Sequence, residues 1–269
     1  MQRTGSGVNF ARYALGEMTI LALRDGHVDM PPSRLRQEGD RPFGTDLPAS
    51  VQLVGGKLRL SVNAFLVIAR GRHILIDTGA GNAWEPSMGL LPAALEEAGV
   101  AREAIGTVAF THTHLDHVAG LVAADGTESF PPATRLLVPE AELPLFRRSG
   151  RLARFRARCT GFAPGFELAE GITALAAHGH EVGHTAFEVT SGGETLLIWG
   201  DIVHVPSMQF SRPELTWEFD ADQAQARAAR REMLARAARP GCCVAGAHLD
   251  FPGIGSVAAE GEGYAFTPL

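Results

Sequence analysis

The residues most able to do chemistry are histidines, and they are spread unevenly: ten occur in 269 residues. His112, His114 and His117 fall within one short run, and His178, His180 and His184 within another. His204 and His248 each follow closely on an apolar strand-like stretch, which leaves His27 and His73 as scattered histidines. The run Thr111-His112-Thr113-His114-Leu115-Asp116-His117 begins where a strand predicted over 107–110 ends. In extended or loop backbone, residues two apart point the same way, so His112 and His114 can converge on one ion. Asp116 and His117, entering the next turn, project toward a second point. Imidazole and carboxylate together suit zinc or another borderline divalent metal rather than calcium. One such run cannot complete two coordination spheres. Further donors stand in Gly179-His180, in Gly200-Asp201 after the apolar stretch 196–199, and in Ala247-His248 after 243–245. A carboxylate at a strand end, such as Asp201, can bridge two ions.

The elements that must position these groups alternate in type. Residues 18–23 read as a strand followed by a turn at Asp25-Gly26, and 62–68 with 73–76 as a hairpin across Arg70-Gly71. Further strands are expected at 107–110, 135–138, 172–175, 186–190, 196–199, 243–245 and 264–266. Helices are expected at 91–98, at 141–148 despite Pro144, and at 220–239, where Asp220 can cap the start and Pro240-Gly241 stops the chain. Strands mixed with helices at this spacing point to sheets covered by helices on their outer faces. Residues 31–48 are polar and proline-broken and read as a long loop. The six arginines within 147–158 read as a solvated helix face or an anion-attracting rim. No repeat or low-complexity tract divides the chain, so 1–269 is expected to form a single domain.

Composition excludes several classes. Lys+Arg 24 against Asp+Glu 30 gives a net charge of −6, with no basic excess for a nucleic-acid scaffold. The apolar runs 64–69 and 196–199 are far too short for a membrane span. The first ten residues lack the apolar core of a signal peptide, so a cytoplasmic location is expected. Cys159, Cys242 and Cys243 have no CxxC spacing and read as buried free thiols.

Leu75-Ile76-Asp77-Thr78-Gly79, HxHxDH at 112–117, Gly-His at 179–180, Gly-Asp at 200–201 and His248 together resemble the metallo-β-lactamase superfamily over nearly the whole chain. The resemblance implies an α/β fold, the αββα sandwich of two mixed β-sheets flanked by helices, with two divalent metal ions, zinc foremost, at one edge. The tail from His248-Leu249-Asp250-Phe251 through Gly255, followed by 259–264, is similar to the methyl parathion hydrolase branch, as are 200–203 and Gln209-Phe210. By this resemblance His112, His114 and His180 hold one metal, Asp116, His117 and His248 the other, and Asp201 bridges.

Asp at 201, where many true β-lactamases carry cysteine, and His at 114, where flavo-diiron proteins usually carry glutamate, favour a two-metal hydrolase. The short stretch after His248 leaves little room for the long carboxy-terminal domain of glyoxalase-like members. The implied chemistry is attack by a metal-bridging hydroxide on a lactone or aryl ester, with Asp116 orienting the nucleophile and passing its proton on. His204 sits near where related lactonases carry a substrate-binding tyrosine and is a catalytic candidate. Trp84 and Phe251 are candidates for the pocket wall, Asp77 and His184 for groups that orient the metal ligands, and residues 147–158 for setting substrate choice. The alternatives are an organophosphate triester hydrolase on the same site and an iron-dependent redox enzyme. The expected partner is a small-molecule substrate, with a homodimer implied by resemblance alone.

Overall fold

The hairpin that anchors the first sheet is local in origin. Strands Leu58–Ala69 and Arg72–Ile76 pair antiparallel. They are joined at Arg70 (φ 48°) and Gly71 (φ 76°), the two left-handed residues of a tight turn whose twist matches the strands. From Ala64 to Ala69 the longer strand is apolar on both faces because both faces are covered there. Ala64 and Leu66 enter one core with Leu75, Val108 and Leu136, whereas Phe65 and Val67 enter another with Ile74, Ile76 and Leu137. In this computed structural model, which describes residues 1–43, 47–48 and 51–269, that two-sided alternation organises the whole molecule.

The first sheet has eight strands in the order Gln2–Ser6, Phe10–Leu15, Met18–Met30, Leu58–Ala69, Arg72–Ile76, Ile105–Ala109, Arg135–Pro139 and Cys159–Phe162. It is antiparallel as far as Arg72–Ile76 and parallel beyond. The second has seven, Glu167–Ala169, Ile172–Ala176, Thr185–Ser191, Glu194–Ile198, Cys242–Ala245, Ile254–Glu260 and Gly263–Pro268, of which only Glu194–Ile198 and Cys242–Ala245 run parallel. Their inner faces meet in the core that contains Phe65, Phe187 and Ile198. Helices Leu91–Glu97 and Leu143–Arg148 cover one outer face, and Gln223–Ala237 covers the other. This is the αββα sandwich of two mixed sheets. Parallel neighbours deliver their carboxyl ends to the same edge. Residues 77, 111–117, 200–201 and 247–248 all leave strands there.

Several expectations need correction. Asp25-Gly26 is not a turn: Met18–Met30 runs through it with a register shift, held by continuous pairing to Leu58–Ala69. The stretch expected as a loop over 31–48 contains strands Leu35–Gln37 and Arg41–Pro42, which form a small sheet with Thr216–Trp217; residues 44–46 lie outside the described residues. The last helix starts at Gln223, capped by the Asp222 side chain on the amides of Ala224 and Gln225, not by Asp220. Strands Gln2–Ser6 and Phe10–Leu15 had no expectation, and Cys242 and Cys243 are half-buried rather than fully buried.

Candidate metal centre

The loops at the shared edge are tied to one another before any ion is considered. Asp77, with φ 62°, leaves its strand in a conformation that disfavours most side chains. Its carboxylate accepts from the Thr111 amide and hydroxyl, both at 2.8 Å, and from His117 Nδ1 at 2.8 Å. The Thr78 amide and hydroxyl return the link by donating to the His117 carbonyl at 2.7 and 2.8 Å. A side chain at Gly179 would place Cβ 2.1 Å from the Ala226 amide, and one at Gly200 would place it 2.7 Å from His184 Nε2. Glycine at both positions lets His180 and Asp201 approach the centre. Glu142, fully buried, joins the two histidine loops by accepting from Thr113 Oγ1 at 2.6 Å and from the Gly183 amide at 2.8 Å.

Donor atoms of His112, His114, His180 and Asp201 lie within 4.8 Å of one another, as do those of Asp116, His117 and His248. Asp201 stands between the groups, with Oδ1 3.2 Å from His117 Nε2 and Oδ2 3.2 Å from His180 Nε2 and 3.0 Å from His248 Nε2. Asp116 Oδ2 is 3.7 Å from His117 Nε2 and 3.6 Å from His248 Nε2. Zinc donors about 2 Å from the ion stand about 3.3 Å apart in a tetrahedron, so these separations suit shared ions. His112 Nε2, His117 Nε2 and Asp201 Oδ1 are buried with no hydrogen-bond partner among the described residues. Each such atom costs about 1–3 kcal/mol unless something supplies the partner. The residues fit a pair of divalent cations.

The outward nitrogens are occupied. His117 Nδ1 donates to Asp77, His180 Nδ1 to Asp220 at 2.8 Å, His248 Nδ1 to the Ser61 carbonyl at 2.8 Å, and His112 Nδ1 to Thr111 Oγ1 at 3.1 Å. Such partners fix the ring and its tautomer and raise the basicity of the inward nitrogen. His184 supports the bridge: its Nδ1 donates to the Ala177 carbonyl and its Nε2 accepts the Asp201 amide at 3.1 Å. Asp220, read as a helix cap in sequence, is instead the anchor of His180; it also accepts from the Trp217 amide and lies 3.8 Å from Arg230. Glu142 had no signal in the sequence, since its partners come from two distant loops.

The charges are strongly coupled. Burial opposes ionisation of Asp201, but His248, His117 and His112 overcome it and hold the carboxyl well below its ordinary range. Burial likewise opposes protonation of His180, yet Asp201 and Asp220 raise it to about 10. His117 and His248 are raised against burial by Asp201 and Asp116. Burial lowers His112, and it takes His184 to about 3 and His204 to about 4. A divalent cation held here would have to displace protons from the raised histidines.

A cavity of about 230 Å³ opens above the donors. Its wall is apolar, formed by Met30, Leu60, Trp84, Leu115, Trp217 and Phe219, and no lysine or arginine lines it among the described residues. His204 is on its floor, with Nε2 3.2 Å from Asp201 Oδ2 and its ring stacked on Trp217 and His248 at 5.1 and 5.0 Å. Its Nδ1 is buried without a partner among the described residues. Phe251, expected on the wall, is not there; it packs against the core between the sheets. Nor do residues 147–158 reach the cavity. Arg151, Arg154 and Arg158 brace the neighbouring surface through Asn82, the Gly126 carbonyl and Glu128.

Residues 58–248 match the sequence profile of the Metallo-beta-lactamase superfamily. The chain belongs to that superfamily. Among solved structures, hydrolase AbOPH in the beta lactamase superfamily is 28% identical, with a TM-score of 0.85 over 98% of this chain and 99% of that one. AidC, a dizinc quorum-quenching lactonase solved with a product, is 21% identical, with a TM-score of 0.86 over 97% of each chain. A probable metal-dependent hydrolase from Staphylococcus aureus is 20% identical, with a TM-score of 0.77 over 96% of this chain and 99% of that one. A comparison with curated proteins found no match. No helix among the described residues is long and apolar enough to cross a membrane.

Proposed function

We propose that the protein is a dinuclear hydrolase of neutral lactones or aryl carboxylic esters. The observation that carries this reading is the Asp201 carboxylate set between two donor groups at the base of an apolar cavity. His112, His114 and His180 would hold one cation, Asp116, His117 and His248 the other, and Asp201 both. Zinc suits this donor set. The pair, when bound, would supply Lewis acidity that lowers the pKa of water toward neutrality and polarises a carbonyl.

Asp116, on the cavity floor, orients the attacking water, takes its proton and returns it to the departing oxygen. His204, held flat between Trp217 and His248, donates from its ring to the substrate's carbonyl oxygen. Trp84 and Phe219 hold the apolar portion of the substrate, and the lack of a cationic side chain on the described wall disfavours anionic substrates. Residues 1–269 work in this reading as one catalytic domain in the cytoplasm, with a homodimer as the expected assembly.

A second reading places the chain in the methyl parathion hydrolase branch as an organophosphate triester hydrolase. The aromatic wall of Trp84, Trp217 and Phe219 favours it, because it suits an aryl leaving group. Zinc-reconstituted protein assayed on lactones, aryl esters and methyl parathion separates the two, with His112→Ala as the inactive control. Fastest turnover of a lactone or aryl ester is expected. Protein purified without added metal that carries one iron and little zinc overturns both readings in favour of a redox enzyme.

A further inference from the structure

His114 differs from the other proposed metal donors. Its side chain is 32% exposed, whereas Asp116, the next most open of them, is 8% exposed. It stands at the amino end of the short helix Leu115–Val118, on the open side of the centre. No strand or buried carboxylate holds its ring. What does hold it comes from one loop. His114 Nδ1 lies 3.1 Å from His180 Nε2, and on the opposite side of the ring His114 Nε2 lies 2.7 Å from Glu181 Oε1. The carboxylate can only accept, so Nε2 carries the hydrogen and the Nδ1 lone pair is turned toward the donor group.

The loop is itself rigid. The Glu181 carbonyl accepts from the amides of Gly179 at 3.2 Å and His184 at 3.1 Å. Glu142 fixes its distance from the His114 loop through Thr113 and Gly183. Glu181 is 17% exposed at its side chain, which makes this contact more than a solvent-screened surface pair.

We propose that Glu181 is the positioning residue for His114. It fixes the ring so that Nδ1 faces the cation, the service that Asp77 performs for His117 and Asp220 for His180. Without it, a one-third exposed imidazole can rotate about its own bonds and turn a carbon toward the ion. This inference rests on the assignment of His114 as a metal donor made above.

The test is zinc titration of the full-length protein against a competing chelating dye, for the wild type, Glu181→Ala and Glu181→Gln. Loss of such a partner costs about 10- to 100-fold in metal affinity. Glu181→Ala is expected to weaken one of the two equivalents by that factor and leave the other unchanged. Glu181→Gln, which keeps an oxygen acceptor, is expected to recover most of the loss. In the zinc-loaded wild type, the nitrogen shifts of His114 are expected to report a protonated Nε2 and a metal-bound Nδ1. Melting temperatures of the zinc-stripped proteins serve as the folding control and are expected to agree. Two equivalents bound by Glu181→Ala at wild-type affinity overturn the role of Glu181 alone. So does an equal loss at both sites with a lowered melting temperature, which marks a structural role. A wild type that takes up no zinc overturns the metal centre itself, and Glu181 with it.

Discussion

The floor and the wall of the cavity are built on opposite principles. On the floor, His117, His180 and His248 are each held from behind by a carboxylate or carbonyl at 2.8 Å, and those partners are held in turn. On the wall, Trp84, Leu115 and Phe219 are 39%, 48% and 43% exposed, and Phe219 rests under the Arg34 guanidinium at 4.7 Å with no buried hydrogen bond to fix it. Hydrogen-bonded groups at low dielectric have one good arrangement, whereas partly exposed apolar side chains have many of nearly equal energy. The donor groups are thus over-determined and the cavity wall is adaptable. A change in the floor should remove activity on every substrate, and a change in the wall should redistribute it.

The largest expected effect is at Asp201. Asp201→Ala leaves clustered imidazoles with no shared anion, and should abolish tight binding of both cations and lower kcat/KM about a thousandfold or more on all substrates, as metal analysis and steady-state kinetics would show. Activity that survives on one substrate class would break the contrast between floor and wall. Asp220→Asn keeps an oxygen for the Trp217 amide but removes the charge behind His180; zinc affinity should fall about 10- to 100-fold while the relative rates on different esters stay the same.

A wall variant should do the reverse. Trp84→Ala should leave metal content at the wild-type level and shift the ratio of kcat/KM between aryl and alkyl esters by about tenfold, the worth of a modest apolar contact. A change in zinc stoichiometry would show that the wall is not independent of the floor.

A further effect lies behind the site and acts on folding rather than on turnover. Asp25 is buried and accepts from the amides of Ala80 and Leu91 at 2.8 and 3.2 Å, and burial pushes its carboxyl up to about 6. A carboxyl raised in the folded state favours folding while protonated, and that contribution is lost as pH rises from about 4 through 6. Across pH 4 to 7, the stability of the wild type relative to Asp25→Asn should fall by about 2–3 kcal/mol, measured by denaturant unfolding of the zinc-stripped proteins. A flat difference would show that its backbone partners fully compensate the buried charge.

The parts legible in sequence share a cause. The hairpin at Arg70-Gly71 and the run from His112 to His117 are set by neighbours within a few residues, so their signals are local. The misread parts depend on partners far along the chain. Asp25-Gly26 carries a turn signature, but eleven registered pairs between Met18–Met30 and Leu58–Ala69 outweigh it. Asp220 stands two residues before the real cap, and only the approach of His180, forty residues earlier, shows its purpose. Residues 31–48 look like a loop because the strand that pairs with Leu35–Gln37 is Thr216–Trp217.

By itself, the sequence determined which donor types are available and that they sit at strand ends, because side-chain identity and strand periodicity are local properties. It therefore determined the family and a donor set able to hold metal ions. Only the tertiary structure decided that Asp201 lies between two donor groups, that Phe251 faces the inter-sheet core and not the cavity, and that Asp220, Glu142 and Glu181 stand behind the histidines. Those relations arise where parallel strands end at a common edge, and the geometry of that edge is set by the packing of two sheets over a shared core rather than by any one stretch of chain.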